Sequence, residues 1–213
     1  MTPFATITPS RGDRPELLEF CKHQLSRMTV KPSKSYFIDY KPTSERIDLI
    51  DRVKQGVDQA KADGFEYAFI IEDDDAYPAN YFEQFDIGEF SYYGSQETIY
   101  YNIRNRTYNI FQHQGRSSLF ITGFKISELD KFNWVAPKNR FLDISIWEYS
   151  ATSKGIRQFI KPTGAIGIKH NLGLCAGKGH VQRGANIDDS LEKLRCWTDN
   201  EQFDFYTELM KKL

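Results

Sequence analysis

Four consecutive acids, Glu72-Asp73-Asp74-Asp75, follow directly on the apolar run 67–71. Carboxylates a few ångströms apart repel one another, so leaving such a run unpaired is costly. A divalent cation is the usual remedy. Hard oxygen donors favour Mg²⁺ or Mn²⁺, which keep part of their water and bind substrate phosphates. In an extended segment, acids one residue apart point the same way. Asp73 and Asp75 have that spacing and could grip one ion. The competing reading is a solvated acidic turn capping a helix that opens at Pro78, where negative charge is favoured.

The surrounding pattern says what would hold these acids in place. Residues 4–8 read as a strand and 9–13 as a turn. Residues 14–27 read as a helix, with Leu17, Leu18, Cys21, Leu25 and Met28 spaced for one buried face. Residues 35–40 make a second strand. Ser44 then looks like the N-cap of a helix over 45–62, whose stripe is Ile47, Ile50, Val53, Val57 and Ala60. Gly64 ends it. Residues 67–71 form a strand apolar enough to be buried on both faces, and Pro78 opens a helix through Phe85. This β-α-β-α-β order predicts a parallel sheet, in which ligands bind at the carboxyl ends of the strands. Three segments then converge: 8–14, 39–41 and 72–75.

The second half is mixed. Residues 98–101, 107–112, 118–122, 158–160 and 165–169 read as strands, 141–153 as a helix, and 188–213 as two amphipathic helices. Gly164, Gly167, Gly173, Gly177, Gly179 and Gly184 crowd one stretch, which predicts a mobile loop after a strand. No linker or repeat interrupts the 213 residues, so a single domain is expected.

Composition narrows the function. A net charge of −1 gives no support for coating nucleic acid by bulk charge. Aromatic content of 15% is high enough to mean a thick core or an aromatic groove for sugars or bases. Cys21, Cys175 and Cys196 are odd in number and far apart, which points to a reducing, cytoplasmic setting rather than a disulfide framework. No signal peptide or membrane-spanning run is apparent.

The segment Ile70-Ile71-Glu72-Asp73-Asp74-Asp75-Ala76-Tyr77-Pro78, with Tyr81-Phe82 beyond it, resembles the D-x-D segment of GT-A glycosyltransferases. In that family an apolar strand runs into D-x-D, and a proline and an aromatic helix follow. Aligned on the proline, Asp73 and Asp75 are the metal pair. Aligned to the E-D-D form of the N-acetylglucosaminyltransferases of N-glycan branching, Asp74 is the ligand. The turn Thr8-Pro9-Ser10-Arg11-Gly12-Asp13-Arg14-Pro15 is similar to the family's nucleotide cradle. The resemblance spans roughly residues 3–181.

It implies a Rossmann-like α/β domain with a central, mostly parallel sheet flanked by helices. Residues 3–95 would be its nucleotide-binding half, 96–187 its acceptor half, and 188–213 its C-terminal helices. Thr8, Pro9, Ser10, Arg11, Arg14, Asp39, Asp73 and Asp74 would bind the donor, a UDP-sugar first among nucleotide-diphosphate sugars. Lys169 and Lys178 would neutralise the leaving diphosphate, and Arg183 could join them. His170 or His180 would join the metal, Mn²⁺ or Mg²⁺. The block 134–147 looks like the family's acceptor side. Asp143 would be the general base of an inverting transfer, and Trp134, Phe141 or Trp147 would stack on a sugar. The acceptor is a hydroxyl on a glycan or on a hydroxymethylated DNA base, as in short bacterial and phage enzymes of this type. Arg104, Arg106, Arg116 and Lys125, interleaved with Tyr100, Tyr101 and Tyr108, keep DNA in view. Two other classes share such a fold. A nucleotidyltransferase would need a lysine- or glycine-rich loop after the first strand, and residues 10–14 hold one glycine and no lysine. A non-catalytic nucleotide-sugar binder would leave its ligand unchanged.

Overall fold

The computed structural model describes residues 2–41, 48–135, 141–170 and 185–213. Strand β1 (Ala5–Ser10) is buried along its whole length. Helix α1 (Pro15–Arg27) opens on its proline, whose missing N–H costs nothing in a first turn. It buries Leu17, Leu18, Cys21 and Leu25, with Met28 buried just beyond. Strand β2 (Lys34–Asp39), helix α2 (Leu49–Ala62) and strand β3 (Tyr67–Ile70) follow. Both β2 and β3 pair parallel with β1. Helix α2 lies so close to β1 that a Cβ on Gly56 would sit 2.3 Å from Ile7 Cγ2, so only glycine fits there. The expected cap Ser44 lies outside the described residues.

The second half supplies β4 (Tyr92–Ser95), β5 (Glu97–Asn102), β6 (Thr107–Gln112), β7 (Gly123–Lys125), α3 (Leu142–Thr152), β8 (Arg157–Ile160), β9 (Ile166–Lys169) and β10 (Asn186–Ile187). Helices α4 (Glu192–Trp197) and α5 (Asn200–Lys211) close the chain. The main sheet has six strands in the order β2-β1-β3-β7-β4-β8. Strand β7 runs antiparallel to β3 and β4, and the other pairs are parallel. A second sheet has the order β10-β6-β5-β9, with β9 parallel to β5. The architecture is therefore mixed α/β, with a mostly parallel six-stranded sheet flanked by helices.

Strand β3 shows how the core is divided. Ala68 and Ile70 join one apolar cluster, with Ile7, Val53, Ile146 and Trp147. Tyr67 and Phe69 join another, with Phe4, Tyr81, Phe82, Phe85 and Tyr93. Alternation along a strand sends neighbours to opposite faces, so these are the two sides of one sheet. Much of the aromatic content is thus core. Among the described residues, no helix is long and apolar enough to cross a membrane.

Two local expectations fail. Residues 118–122 are not a strand: Leu119–Ile121 is a short 3-10 turn. Thr122 Oγ1 donates to Ser118 O at 2.7 Å and Ser117 Oγ to Ile121 O at 3.2 Å. Hydroxyls that claim local carbonyls in this way compete with a strand ladder. The helix expected from Pro78 to Phe85 shrinks to a 3-10 turn at Phe82–Gln84. Tyr77, Tyr81, Phe82 and Phe85 are all buried, and packing on both flanks overrides helix propensity.

Candidate functional site

The three strand-end segments do meet. Ser10 and Asp39 are register partners at the ends of β1 and β2. Gly12, at φ +66°, lets the following loop lie against the second strand's exit: a Cβ there would be 2.7 Å from the Tyr40 carbonyl carbon. Buried Arg52 pins both strand ends, donating to the carbonyls of Ser10 and Ile38 while paired with Asp48 at 2.6 Å. Thr8, Pro9 and Ser10 belong to β1 itself and are buried, so the expected turn begins only at Arg11. Arg11 pairs with Asp13 at 2.8 Å, and Asp39 is exposed. Arg14 reaches the third segment: Nη2 lies 2.7 Å from Asp73 Oδ1 and Nη1 lies 3.1 Å from Asp74 Oδ2.

The acidic run is a tight turn rather than an extended segment. Asp75 N–H returns to Glu72 O at 3.5 Å. An i, i+2 pair no longer shares a side, so the predicted Asp73/Asp75 pairing gives way to another set. Oxygens of Glu72, Asp74 and Asp75 converge within 4.8 Å of one another. Asp73 turns away to Arg14. The turn is moored to β9 by a two-way backbone bridge between Ala76 and Ile166, at 2.9 and 3.0 Å. That bridge brings the end of β9 alongside. Ile168 N–H donates to Asp75 Oδ1 at 2.7 Å, and Lys169 Nζ lies 3.9 Å from the same oxygen. His170, fully buried, holds Nε2 2.8 Å from Asp74 Oδ2. This contact ties the residue just past β9 to Asp74, one of the converging set. His180 and Lys178 lie outside the described residues, as does Arg183.

The electrostatics show what this turn lacks. Burial raises Asp75 well above the carboxylate range, and the charges of Asp74 and Glu72 add to it, against the pull of Lys169. Its Oδ2 is buried without a hydrogen-bond donor. Burial likewise raises Glu72, with Lys169 opposing and Asp74 adding. Asp73 is pushed up to about 7 by burial and by Asp74, against Arg14. Asp74 is the exception. Burial works against its charge, but Arg14, the His170 hydrogen bond and Lys169 more than offset it, and its pKa falls. Among the described residues, four carboxylates thus face two fixed cations, Arg14 and Lys169. One divalent ion would balance the rest, and three converging carboxylates are the donor set that Mg²⁺ or Mn²⁺ takes.

A pH dependence follows. In the folded chain Glu72, Asp73 and Asp75 keep protons that the unfolded chain releases near its ordinary value of about 3.9–4.3. Their destabilising contribution is absent below about pH 4 and grows as the pH rises toward 7. Asp74 has the opposite sign, but its contribution is lost only below about pH 4. The metal-free melting temperature should therefore fall between about pH 5 and 7.5, and Mn²⁺ affinity should rise over the same window as bound protons are displaced. Melting curves across that range, with and without Mn²⁺, check both. A metal-free curve that is flat or rises would contradict the charge assignment.

On the acceptor side, Asp143 stands in the first turn of α3, paired with Arg116 at 2.8 Å. Burial raises its pKa, with Arg116 and backbone N–H groups opposing. Its charge weighs on both Glu72 and Tyr100, so it lies within electrostatic reach of the acidic turn. Trp134 is half-buried and packs edge-on against Phe132 at 4.8 Å. Phe141 is 43% exposed beside Asp143 in sequence. Trp147 is not an acceptor platform. It is buried, stacks on Phe159 at 5.0 Å and donates to Thr122 Oγ1 at 3.1 Å. Trp147→Ala should cost about 3–5 kcal/mol of stability in urea denaturation, as a core tryptophan does. A loss of activity without that destabilisation would restore it to the acceptor site.

Three members of the basic-aromatic set are engaged elsewhere, while Arg104 and Arg106 are exposed. Arg116 is committed to Asp143, Lys125 lies 3.8 Å from Glu66, and Tyr101 is buried with its hydroxyl on Asp188 at 2.9 Å. Sequence reasoning left Glu72 out of the metal set and missed Arg52 and the Arg116–Asp143 pair. Arg52 carried one available signal: it is a charge on the buried side of the α2 pattern, next to Val53. No protein-family model matches the chain, and no curated protein matches it.

Proposed function

We propose that this chain is a metal-dependent glycosyltransferase of the GT-A type, moving a hexose from a nucleotide-diphosphate sugar to an acceptor hydroxyl. The observation that carries the reading is the convergence of Glu72, Asp74 and Asp75 at the end of β3, with an excess of negative charge beside the β1 and β2 exits. Glu72, Asp74 and Asp75 would hold Mn²⁺ or Mg²⁺, which supplies Lewis-acid stabilisation of the departing diphosphate. Arg11, Arg14 and Asp39 stand at the strand ends where the nucleotide would lie, and a UDP-sugar is the first donor to try. Lys169, half-buried beside Asp75, would add positive charge on the phosphate side. Asp143 would take the proton from the acceptor oxygen as it bonds to the anomeric carbon and the bond to the diphosphate breaks. Its raised pKa makes it a stronger base than an ordinary aspartate. Attack from the face opposite the leaving group gives inversion. Engagement of Arg116, Lys125 and Tyr101 elsewhere, with a net charge of −1, favours a glycan or small hydroxyl acceptor over DNA.

The test is release of nucleoside diphosphate from nucleotide-sugars offered with Mn²⁺ and a panel of hydroxyl acceptors. Metal- and acceptor-dependent release supports transfer. Release of pyrophosphate from a nucleoside triphosphate and a sugar phosphate would instead indicate a nucleotidyltransferase. Donors that bind and stay unchanged with every acceptor would indicate a binder.

A further inference from the structure

The C-terminal helix α5 reaches the acidic turn through a buried polar network. Tyr206, buried, donates its hydroxyl to the backbone carbonyl of Asp74 at 3.3 Å. Gln202, also buried, donates Nε2 to Tyr77 O and to Gln24 Oε1, both at 2.7 Å. Gln24 of α1 completes the circuit: its Nε2 donates to Asp75 O at 3.1 Å, and its Oε1 accepts from Tyr77 N–H at 3.0 Å. Backbone groups of three residues in or just after the turn are therefore held by side chains from two helices. Gln202 is itself fixed by a reciprocal capping box with Asp199, so the anchor is rigid at its source. At the surface, Arg27 of α1 pairs with Asp199 and Glu201, clamping the two helices together.

A helix docked only for packing would bury apolar side chains and leave the turn's carbonyls to other partners. Here two polar side chains one helical turn apart, Gln202 and Tyr206, project onto the same short stretch of backbone. We propose that α5 is a positioning element for the metal-binding turn, with Gln202 and Tyr206 fixing the carbonyls of Tyr77 and Asp74 so that Glu72, Asp74 and Asp75 converge. This rests on the metal site proposed above, though its effect on turn geometry does not require the metal to be present. Supporting partners of this kind typically alter metal affinity by about 10–100-fold when removed.

The experiment compares Tyr206→Phe and Gln202→Met with Arg27→Ala, which loosens the α1–α5 surface pairing at Asp199 and Glu201 while leaving in place every hydrogen bond that Gln24, Gln202 and Tyr206 make to the turn. Two quantities are read on the full chain: amide hydrogen exchange in metal-free protein, and Mn²⁺ affinity by titration. Tyr206→Phe keeps the ring and its packing on Phe20, so it serves if Gln202→Met fails to fold. Both network variants should speed exchange at the amides of Asp75, Ala76 and Tyr77 and weaken Mn²⁺ about tenfold. Arg27→Ala should do neither. Unchanged exchange at these amides in folded Tyr206→Phe and Gln202→Met would overturn the proposal, as would equal acceleration in Arg27→Ala. Wild-type protein that binds no Mn²⁺ would sink the metal reading instead, and the exchange comparison would still decide the role of α5.

Discussion

Asp143→Asn is expected to lower the transfer rate by about 10²–10⁴-fold while leaving donor and metal binding intact. Asp143 stands in the first turn of α3, and its charge is felt at Glu72 of the acidic turn. Burial has raised its proton affinity, so it is a better base than an ordinary surface aspartate. Asparagine keeps the shape and can still accept from Arg116, but it cannot take the acceptor's proton. The loss should therefore fall on the chemical step, with diphosphate-induced melting shifts unchanged. A fall in both together would mean that Asp143 is there to shape the pocket, as a first-turn acid on α3.

Asp75→Asn should abolish the response to metal and yet stabilise the metal-free protein. Asp75 is fully buried, its Oδ2 has no donor, and two acids share its space. Above about pH 7 that arrangement is costly without a cation. Asparagine retains an oxygen to accept the Ile168 N–H and replaces the orphaned oxygen with an amide donor that faces carboxylates. The metal-free melting temperature at about pH 8 should rise, and Mn²⁺ affinity should fall by more than the roughly 100-fold that removal of a supporting partner can cost. Stored repulsion that a ligand relieves is a common signature of a functional site. A variant that melts lower and still responds to Mn²⁺ would make the acidic turn a structural feature.

The βαβαβ half was legible because its strands and helices carry clean periodicities. Leu17, Leu18, Cys21, Leu25 and Met28 are buried as their spacing requires, and β3 is apolar throughout because both its faces are covered. From that order alone the meeting of segments 8–14, 39–41 and 72–75 could be read. What could not be read was the local shape at the meeting point. The identity of the converging acids depends on a turn closed by one weak backbone hydrogen bond and moored by a bridge to Ile166, ninety residues on. No spacing rule encodes that bridge. The antiparallel β7 was hidden for a related reason: it is three residues long, and its neighbours' hydroxyls take over the backbone. Trp147 was misassigned because sequence does not distinguish a ring that faces solvent from one that faces Thr122 and Phe159. The Arg116–Asp143 pair and the α5 contacts were invisible because long-range polar contacts leave no periodic trace.

A metal-bridged nucleotide site at the end of β3 is open to test by thermal melting. The protein would be heated with UDP, GDP, CDP or TDP, each with and without Mn²⁺. One diphosphate, UDP first, should raise the melting temperature only when Mn²⁺ is present, because a ligand that binds the folded state stabilises it by mass action. No shift with any diphosphate, or shifts equal with and without Mn²⁺, would contradict it.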